Sequence, residues 1–290
     1  AARNDLTKAT VSAICRDLDA LELIREVGES QSGPGRPATL LDIAPQGGCA
    51  IGVEISTNYV AVLLADLRGE ALWQRAVLIP VDSEQAVILS EVETLVAEAC
   101  DEAGRRTGGT TDAAVRLGPL LGIGVGVPGL VRSDNEDGES PRALGWDRTA
   151  LQERLNVRFD LPIIVENKAR AAAVGEARYG SARGAASFVY VSIGTDIHST
   201  VDAAVMIRGE LLQGVQGRAV DAGHMILDPH GPPCACGQRG CWQALTDVGR
   251  EVALVRARLA GGESSRLQAV EGELDHRTIH QLALERDRLA

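Results

Sequence analysis

The chain has 290 residues, 45% of them hydrophobic, and a formal net charge of −11, a length that supports one large or two medium domains with buried cores. The acidic balance excludes a surface that binds nucleic acid throughout and leaves room only for a local reading head, while 3% aromatic residues are too few for a single-strand stacking platform. Apolar runs such as Tyr59 to Ala65 fall far short of the roughly 20 residues of a membrane span, and with no signal-peptide pattern at the start a cytoplasmic location without a membrane partner is expected.

In chain order, Thr7 stands where an N-cap hydroxyl would, and Val11, Ile14, Leu18 and Leu21 recur at three- and four-residue steps, predicting an amphipathic helix that ends near Glu22. The short apolar run "LIREV", a Gly/Ser/Pro loop holding Arg36, and a second strand "ATLLDI" complete a hairpin. Helix plus hairpin reads as the back half of a winged helix-turn-helix. In that layout Thr7, Lys8, Thr10 and Ser12 lie toward the exposed start of the groove-entering helix, and Arg36 sits at the wing tip. The plain alternative is a helix and hairpin that cap a larger domain. Five Lys/Arg against seven Asp/Glu in residues 1–45 do not favour DNA. The earlier helices of a complete motif are missing or cut short, so the chain is expected to begin inside its DNA-binding unit.

From Cys49 the pattern becomes α/β. "AIGVEISTNYVAVLLADLRGEAL" predicts two strands meeting at a tight turn and a third after Arg68-Gly69. "SEVETLVAEACDEAGRR" predicts a helix, "LLGIGVGVPGLV" a buried strand and "LPIIVEN" another ending in polar residues. "AAAVGEARYG" follows as a small-residue helix, and "FVYVSIGTDIHSTVDAAVMIRGELLQG" as a further hairpin. Two β-rich halves with interleaved helices suggest a two-lobed fold with a cleft. Six cysteines are too few and too unevenly placed for a secreted disulfide scaffold. Cys15, Cys49 and Cys100 stand apart, whereas Cys234, Cys236 and Cys241 cluster, a pattern that reads as metal binding.

With these pieces in order the chain resembles the ROK family, which groups bacterial sugar-responsive repressors with sugar kinases, and in particular its regulator branch of N-acetylglucosamine and xylose repressors. The resemblance runs from about residue 5 to the end. It is carried by the winged-helix segment, "GIGVGVPGLV", "ALGWDRTALQERL", "PIIVENKARAAAVGE", "SIGTDIHST" and above all "DAGHMILDPHGPPCACGQRGCWQ". It implies an α/β fold class, a winged helix-turn-helix followed by a two-lobed actin-like ATPase (ROK) domain with sugar bound between the lobes. The expected division is residues 1–46 for the N-terminally shortened DNA-binding domain and 47–290 for a C-terminally shortened sensor domain, since family members usually continue beyond "HQLALERDRLA".

The resemblance also implies a ligand set. His224, Cys234, Cys236 and Cys241 follow the spacing H-x9-C-x-C-x4-C that the family uses for a structural zinc. Three thiolates and an imidazole fill a tetrahedral Zn²⁺ and leave no open position for a catalytic water. His230 matches no ligand position and reads as a loop side chain. His224 would ligate through one ring nitrogen and offer the other to a sugar hydroxyl. Family positions that touch sugar are held here by Asn167, Asp221 (in place of a longer Glu) and His224. Lys168, Gln243 (where Glu is usual) and Ala143 before "LGW" depart from the pattern.

The phosphotransfer machinery of the family's kinases is altered at three places. Their catalytic base directly follows the asparagine of this motif, and here the text is "VENKA", with Lys168 in that position. A protonated ammonium cannot take a proton from a sugar hydroxyl. The first phosphate loop, roughly "DIGGT" in the kinases, is "EISTN" from Glu54 to Asn58, and the second, usually "GTGIG", is "GTDIH", with Asp196 and His198 where glycines would be. The expected protein is therefore a transcriptional regulator and not an enzyme: a DNA-binding repressor with a zinc-stabilised, kinase-derived sensor of a sugar or sugar derivative. Its partners would be double-stranded operator DNA and a second copy of itself, in a homodimer or higher homo-oligomer. The alternative is an ATP-dependent sugar kinase of the same family. A third reading is a zinc-bearing scaffold with neither activity.

Overall fold

Thr7 starts the first helix as expected. In the computed structural model, which describes residues 6–30, 38–80, 83–107, 117–129, 148–194, 201–214, 219–269 and 274–287, its Oγ1 accepts a hydrogen bond from the Thr10 backbone N–H at 3.1 Å and caps α1, Lys8–Ala20. The cap satisfies one of the donors a helix start leaves unpaired. Of the predicted apolar stripe, Val11 and Leu18 are half-buried, while Ile14 and Leu21 are 43% and 65% exposed. One side of α1 therefore keeps apolar surface in solvent. Strands β1 (Ile24–Ser30) and β2 (Ala38–Ile43) follow as an antiparallel pair running from Ile24 opposite Ile43 to Ser30 opposite Ala38, with a bulge between Glu26 and Gly28.

The largest sheet comes from β3 (Cys49–Ile55), β4 (Tyr59–Asp66), β5 (Ala71–Leu78), β6 (Leu120–Val127) and β7 (Ile163–Asn167), in the order β5-β4-β3-β6-β7. The β3-β4-β5 meander is antiparallel, and β6 and β7 join β3 in parallel. Alternation explains the core. Ile51, Val53 and Ile55 of β3 and Val60, Val62 and Leu64 of β4 are buried on one face, where α2 (Gln85–Thr107) lays down Ile88, Val92, Leu95, Val96, Ala99 and Ala103. This helix begins earlier than the segment predicted from sequence, because Ile88 extends its apolar periodicity. On β7 lies α3 (Arg148–Phe159), held by the fully buried Leu155 and by Leu151.

Near the end of α2, Glu102 accepts hydrogen bonds from Arg105 and Arg106. These two guanidinium groups hold its carboxyl below the usual range. A folded-state pKa below the unfolded one means that the unfolded chain binds the extra proton, so this contribution is present above the usual glutamate value and fades as pH falls through the depressed one. Urea midpoints of Glu102→Gln and the unaltered protein should thus differ at neutral pH and converge on acidification. A constant gap would contradict the assignment.

A second, smaller sheet has the order β10-β9-β8, from β8 (Phe188–Ile193), β9 (Val201–Ile207) and β10 (Glu210–Leu211), all antiparallel. The turn between β9 and β10 uses positive φ at Arg208 and Gly209. The remaining helices are α4 (Lys168–Arg178), the single turn α5 (Trp242–Leu245), α6 (Val248–Ala260) and α7 (His276–Leu284). Asp247 caps α6 and Asp275 caps α7. Val255, Leu267 and Ile279 form a separate small core, with Val252, Leu259, Leu274 and Leu282 packed around it. Compactness divides the chain into one unit of 1–133, 146–171 and 175–183 and another of 134–145, 172–174 and 184–290. Among the described residues no helix is long and apolar enough to cross a membrane.

Candidate functional site

Residues 221–243 fold as a knuckle held by its own backbone. Leu227 N–H donates to the Gly240 carbonyl at 2.8 Å, Gly240 N–H to Pro232 at 2.7 Å and Cys234 N–H to Gln238 at 2.8 Å, while Ile226 pairs with Cys241 and Pro233 with Arg239 in isolated bridges. Gly240 permits this closure. Its φ is +66°, and a Cβ there would run into the Asp228 carbonyl oxygen, so no other residue type fits without moving the chain.

The folding brings His224, Cys234, Cys236 and Cys241 together, their ligand atoms all within 4.8 Å of one another. His224 Nδ1 lies 3.5 Å from Cys234 Sγ, and Cys236 Sγ lies 3.7 Å from Cys241 Sγ. The second distance rules out a disulfide, whose sulfurs sit about 2.05 Å apart. It does fit a shared ion, because tetrahedral zinc with bonds of about 2.3 Å sets its sulfurs about 3.8 Å apart. The thiols also disturb one another. Burial and the neighbouring Cys236 and Cys234 push Cys241 up to about 12. For Cys236 burial acts upward too, but hydrogen bonds from the Gln238 backbone and the adjacent thiols outweigh it and lower the value. One thiolate is favoured and several are not, and a divalent cation is the partner that lets all three ionise. The set of three cysteines and one histidine therefore has the donors and spacing of a metal centre. His230 is exposed, with its backbone N–H on Asp228, and stands outside the cluster.

Nδ1 is the histidine atom on the cluster side, so Nε2 points away from it. His224 belongs to a 3-10 turn, Ala222–His224, preceded by the exposed Asp221. That turn packs against α5, which starts from Cys241 and carries Gln243. Met225 C=O accepts from Trp242 N–H at 2.9 Å, and Gln243 Oε1 lies 3.1 Å from where a Cβ on Gly223 would be. Asp221 and His224 thus share the turn against which α5 sets Gln243.

In the other unit Asn167 ends β7 and caps α4. Its Oδ1 accepts from Ala169 N–H and Arg170 N–H at 2.9 and 3.0 Å, and its Nδ2 donates to Gly129 C=O at 2.8 Å. Both ends of the amide have structural work, a role the pattern of an Asn before a helix could have signalled. Lys168 is the first residue of α4, half-buried, at the helix end where a carboxylate would be favoured and an ammonium is not. Beside it Glu166 pairs with the buried Arg170 at 2.5 Å. Asn167→Ala should lower stability by about 1–2 kcal/mol through the lost cap, read as a shifted denaturant midpoint at constant slope, and Asn167→Asp should recover only part of it, because it keeps the cap but sets an acceptor oxygen against the Gly129 carbonyl.

The "EISTN" turn joins β3 to β4. Glu54 Oε1 accepts from the Tyr59 hydroxyl at 2.6 Å, Ser56 is buried, and Ser56 N–H donates to Tyr59 C=O at 2.9 Å. The Glu54 carboxylate is thus tied to the Tyr59 hydroxyl, and the turn carries the buried Ser56 side chain where the first phosphate loop of the kinases would have glycine. Thr7, Lys8, Thr10 and Ser12 are all exposed on the first turns of α1, with the Thr7 and Thr10 hydroxyls 2.8 Å apart. Arg36, Ala143, Asp196 and His198 lie outside the described residues.

A mixed sheet in which an antiparallel meander continues into two parallel strands, followed by a thiol-rich knuckle, defines an α/β protein of the actin-like ATPase class. Residues 50–289 match the ROK family, and the chain belongs to it. It is 31% identical over 289 residues, 99% of its length, to a Caldicellulosiruptor sp. protein of which it covers 69%. It is 28% identical to the xylose repressor of Bacillus subtilis, over 96% of this chain and 65% of that protein. A crystal structure of a ROK family transcriptional regulator, a homologue of the E. coli MLC protein, superimposes with a TM-score of 0.74 at 27% identity, over 98% of this chain and 68% of that one. A glucokinase of Streptomyces coelicolor matches over only 68% of this chain.

Proposed function

We propose that the chain is the DNA-binding and sugar-sensing part of a transcriptional repressor with no phosphotransfer activity. The observation that carries this reading is coverage. Similarity to the Caldicellulosiruptor relative extends over 99% of the chain and to the B. subtilis xylose repressor over 96%, whereas the family match begins at residue 50, so the stretch added by the first takes in the helix and hairpin ahead of it. Residues 1–46 are read as a winged-helix domain and 47–290 as the sensor. In that arrangement α1 enters the major groove of operator DNA, with its N-terminal turn against phosphate. Lys8 and Ser12 present free side chains there, while Thr7 and Thr10 hold the cap, and Arg36 belongs to the wing.

The sensor carries a structural Zn²⁺ on His224, Cys234, Cys236 and Cys241. Zinc neutralises the thiolates and fixes the His224 ring so that Nε2 can meet a sugar hydroxyl. Asp221 and Gln243 are read as effector contacts beside it, and Asn167 and Lys168 as further candidate contacts. The effector is a sugar or sugar derivative, with xylose the first to test because it names the B. subtilis relative. Sugar binding shifts the population of a repressor homodimer away from its DNA-binding state. The protein is read as cytoplasmic.

Calorimetry with xylose and related sugars, run beside a coupled ATP assay, tests the sensor. Binding without turnover is expected. Turnover at the ordinary enzyme scale of about 1–10³ per second would make the chain a sugar kinase instead. Lys168→Asp should also stay inactive, since the Glu54–Tyr59 closure of the first loop remains.

A further inference from the structure

A second convergence of ligand-type side chains lies outside the knuckle. Glu251 of α6 and His276 and His280 of α7 bring their donor atoms within 4.8 Å of one another. The two histidines are four residues apart on one helix, which places them on the same face one turn apart. Their rings meet edge to face, with centroids 5.7 Å apart. Glu251 enters from the neighbouring helix, its Oε1 3.5 Å from His280 Nε2. That separation is close to the edge of a tetrahedron about an ion with nitrogen and oxygen bonds of about 2.0–2.1 Å, which is about 3.3–3.4 Å.

We infer that Glu251, His276 and His280 form a second, exchangeable transition-metal site that clamps α7 to α6. Two imidazoles and a carboxylate are the donors of borderline divalent ions such as Zn²⁺, Ni²⁺ and Cu²⁺, rather than of Ca²⁺ or Mg²⁺. A set of three leaves at least one coordination position to water. His280 is exposed, while Glu251 and His276 are half-buried, so the ion can enter from solvent. The site differs in kind from the thiolate centre of the knuckle, having no sulfur donor, fewer ligands and greater access, and its ion is held more weakly.

The placement gives the ion a structural effect. Helices α6 and α7 meet through the small core of Val255, Leu267 and Ile279, supported by an Arg256 side-chain bond to the Leu274 carbonyl at 3.1 Å. Ile279 sits between the two histidines in sequence and is buried, so its side of α7 is already seated and the histidines flank the seat. An ion there joins the two helices and lowers the freedom of α7 to leave. Without an ion, the Glu251–His280 contact is an exposed pair of small worth.

Equilibrium dialysis against Ni²⁺ of untagged protein carrying one zinc per chain, with free zinc removed, tests the site. One ion per chain beyond the zinc is expected at micromolar nickel, together with a rise in melting temperature. His276→Gln and His280→Gln should each weaken this binding at least about 100-fold, at or beyond the upper end of what loss of an outer-sphere partner costs. Their zinc content should not change. Glu251→Gln provides an independent reading that keeps α7 intact. No second ion, or nickel binding unchanged in the folded variants, would overturn the inference.

Discussion

Cysteine 241 changed to serine should leave the protein with far less than one zinc per chain and a markedly lower melting temperature. Cys241 is completely buried, begins α5 and pairs through its backbone with Ile226, so as a ligand it would tie an ion to both sides of the knuckle. Structural zinc contributes about 10–16 kcal/mol of apparent binding free energy in small zinc domains. Even a loss of about 3 kcal/mol would lower the midpoint of a domain of this size by about 6–12 °C. Chelation of the unaltered protein should produce the same shift, and re-addition of Zn²⁺ should reverse it. Gly240→Ala should reproduce much of the effect with all four ligands present, because its Cβ collides with the Asp228 carbonyl. Metal content by mass spectrometry and calorimetric melts check both variants. A full complement of zinc in Cys241→Ser would remove this residue from the centre.

The second large effect is expected at Asp221. It is exposed and makes no side-chain cap bond to the 3-10 turn that it precedes, so replacing it with alanine should cost little stability and leave zinc in place. A sugar hydroxyl bound to an ionised carboxylate is worth about 1.5–3 kcal/mol. Asp221→Ala should therefore raise the sugar concentration needed for DNA release about 10- to 150-fold, with DNA affinity in the absence of sugar unchanged. Gln243→Ala, which removes a neutral partner worth about 0.5–1.5 kcal/mol, should shift it only about 2- to 10-fold. Titration of release against sugar gives both numbers. Equal release curves for Asp221→Ala and the unaltered protein would take this carboxylate out of the effector site.

Local chemistry made much of this legible in sequence. The "EISTN" turn and Arg68-Gly69 bracket β4 because a tight turn needs few residues and leaves a strong compositional mark. The metal set could be read because its four ligands lie within 18 residues of one another, on glycine-permitted turns. Asn167 was harder. The family pattern drew attention to a sugar contact, while the physical signal of an asparagine ahead of a helix pointed to the cap that its side chain makes. The Glu251, His276 and His280 cluster is not legible in the same way. "HRTIH" displays the helical i,i+4 pair plainly, but its third ligand lies 25 residues upstream on another helix, and only packing of α6 on α7 brings it close. Likewise, Ile14 looks like a core residue by spacing, yet its burial depends on what packs there and not on the period.

The most direct test of the repressor reading is fluorescence anisotropy of the full-length natural protein on its own promoter and on a scrambled duplex, over a salt series, with and without xylose. Binding to the promoter should be at least about 10³-fold tighter than to the scrambled duplex at physiological salt, weakening as salt rises. Added xylose, or another sugar that binds in calorimetry, should reduce the promoter affinity about 5- to 150-fold. Equal affinity for both duplexes across the series, unchanged by every sugar tested, would contradict the repressor reading.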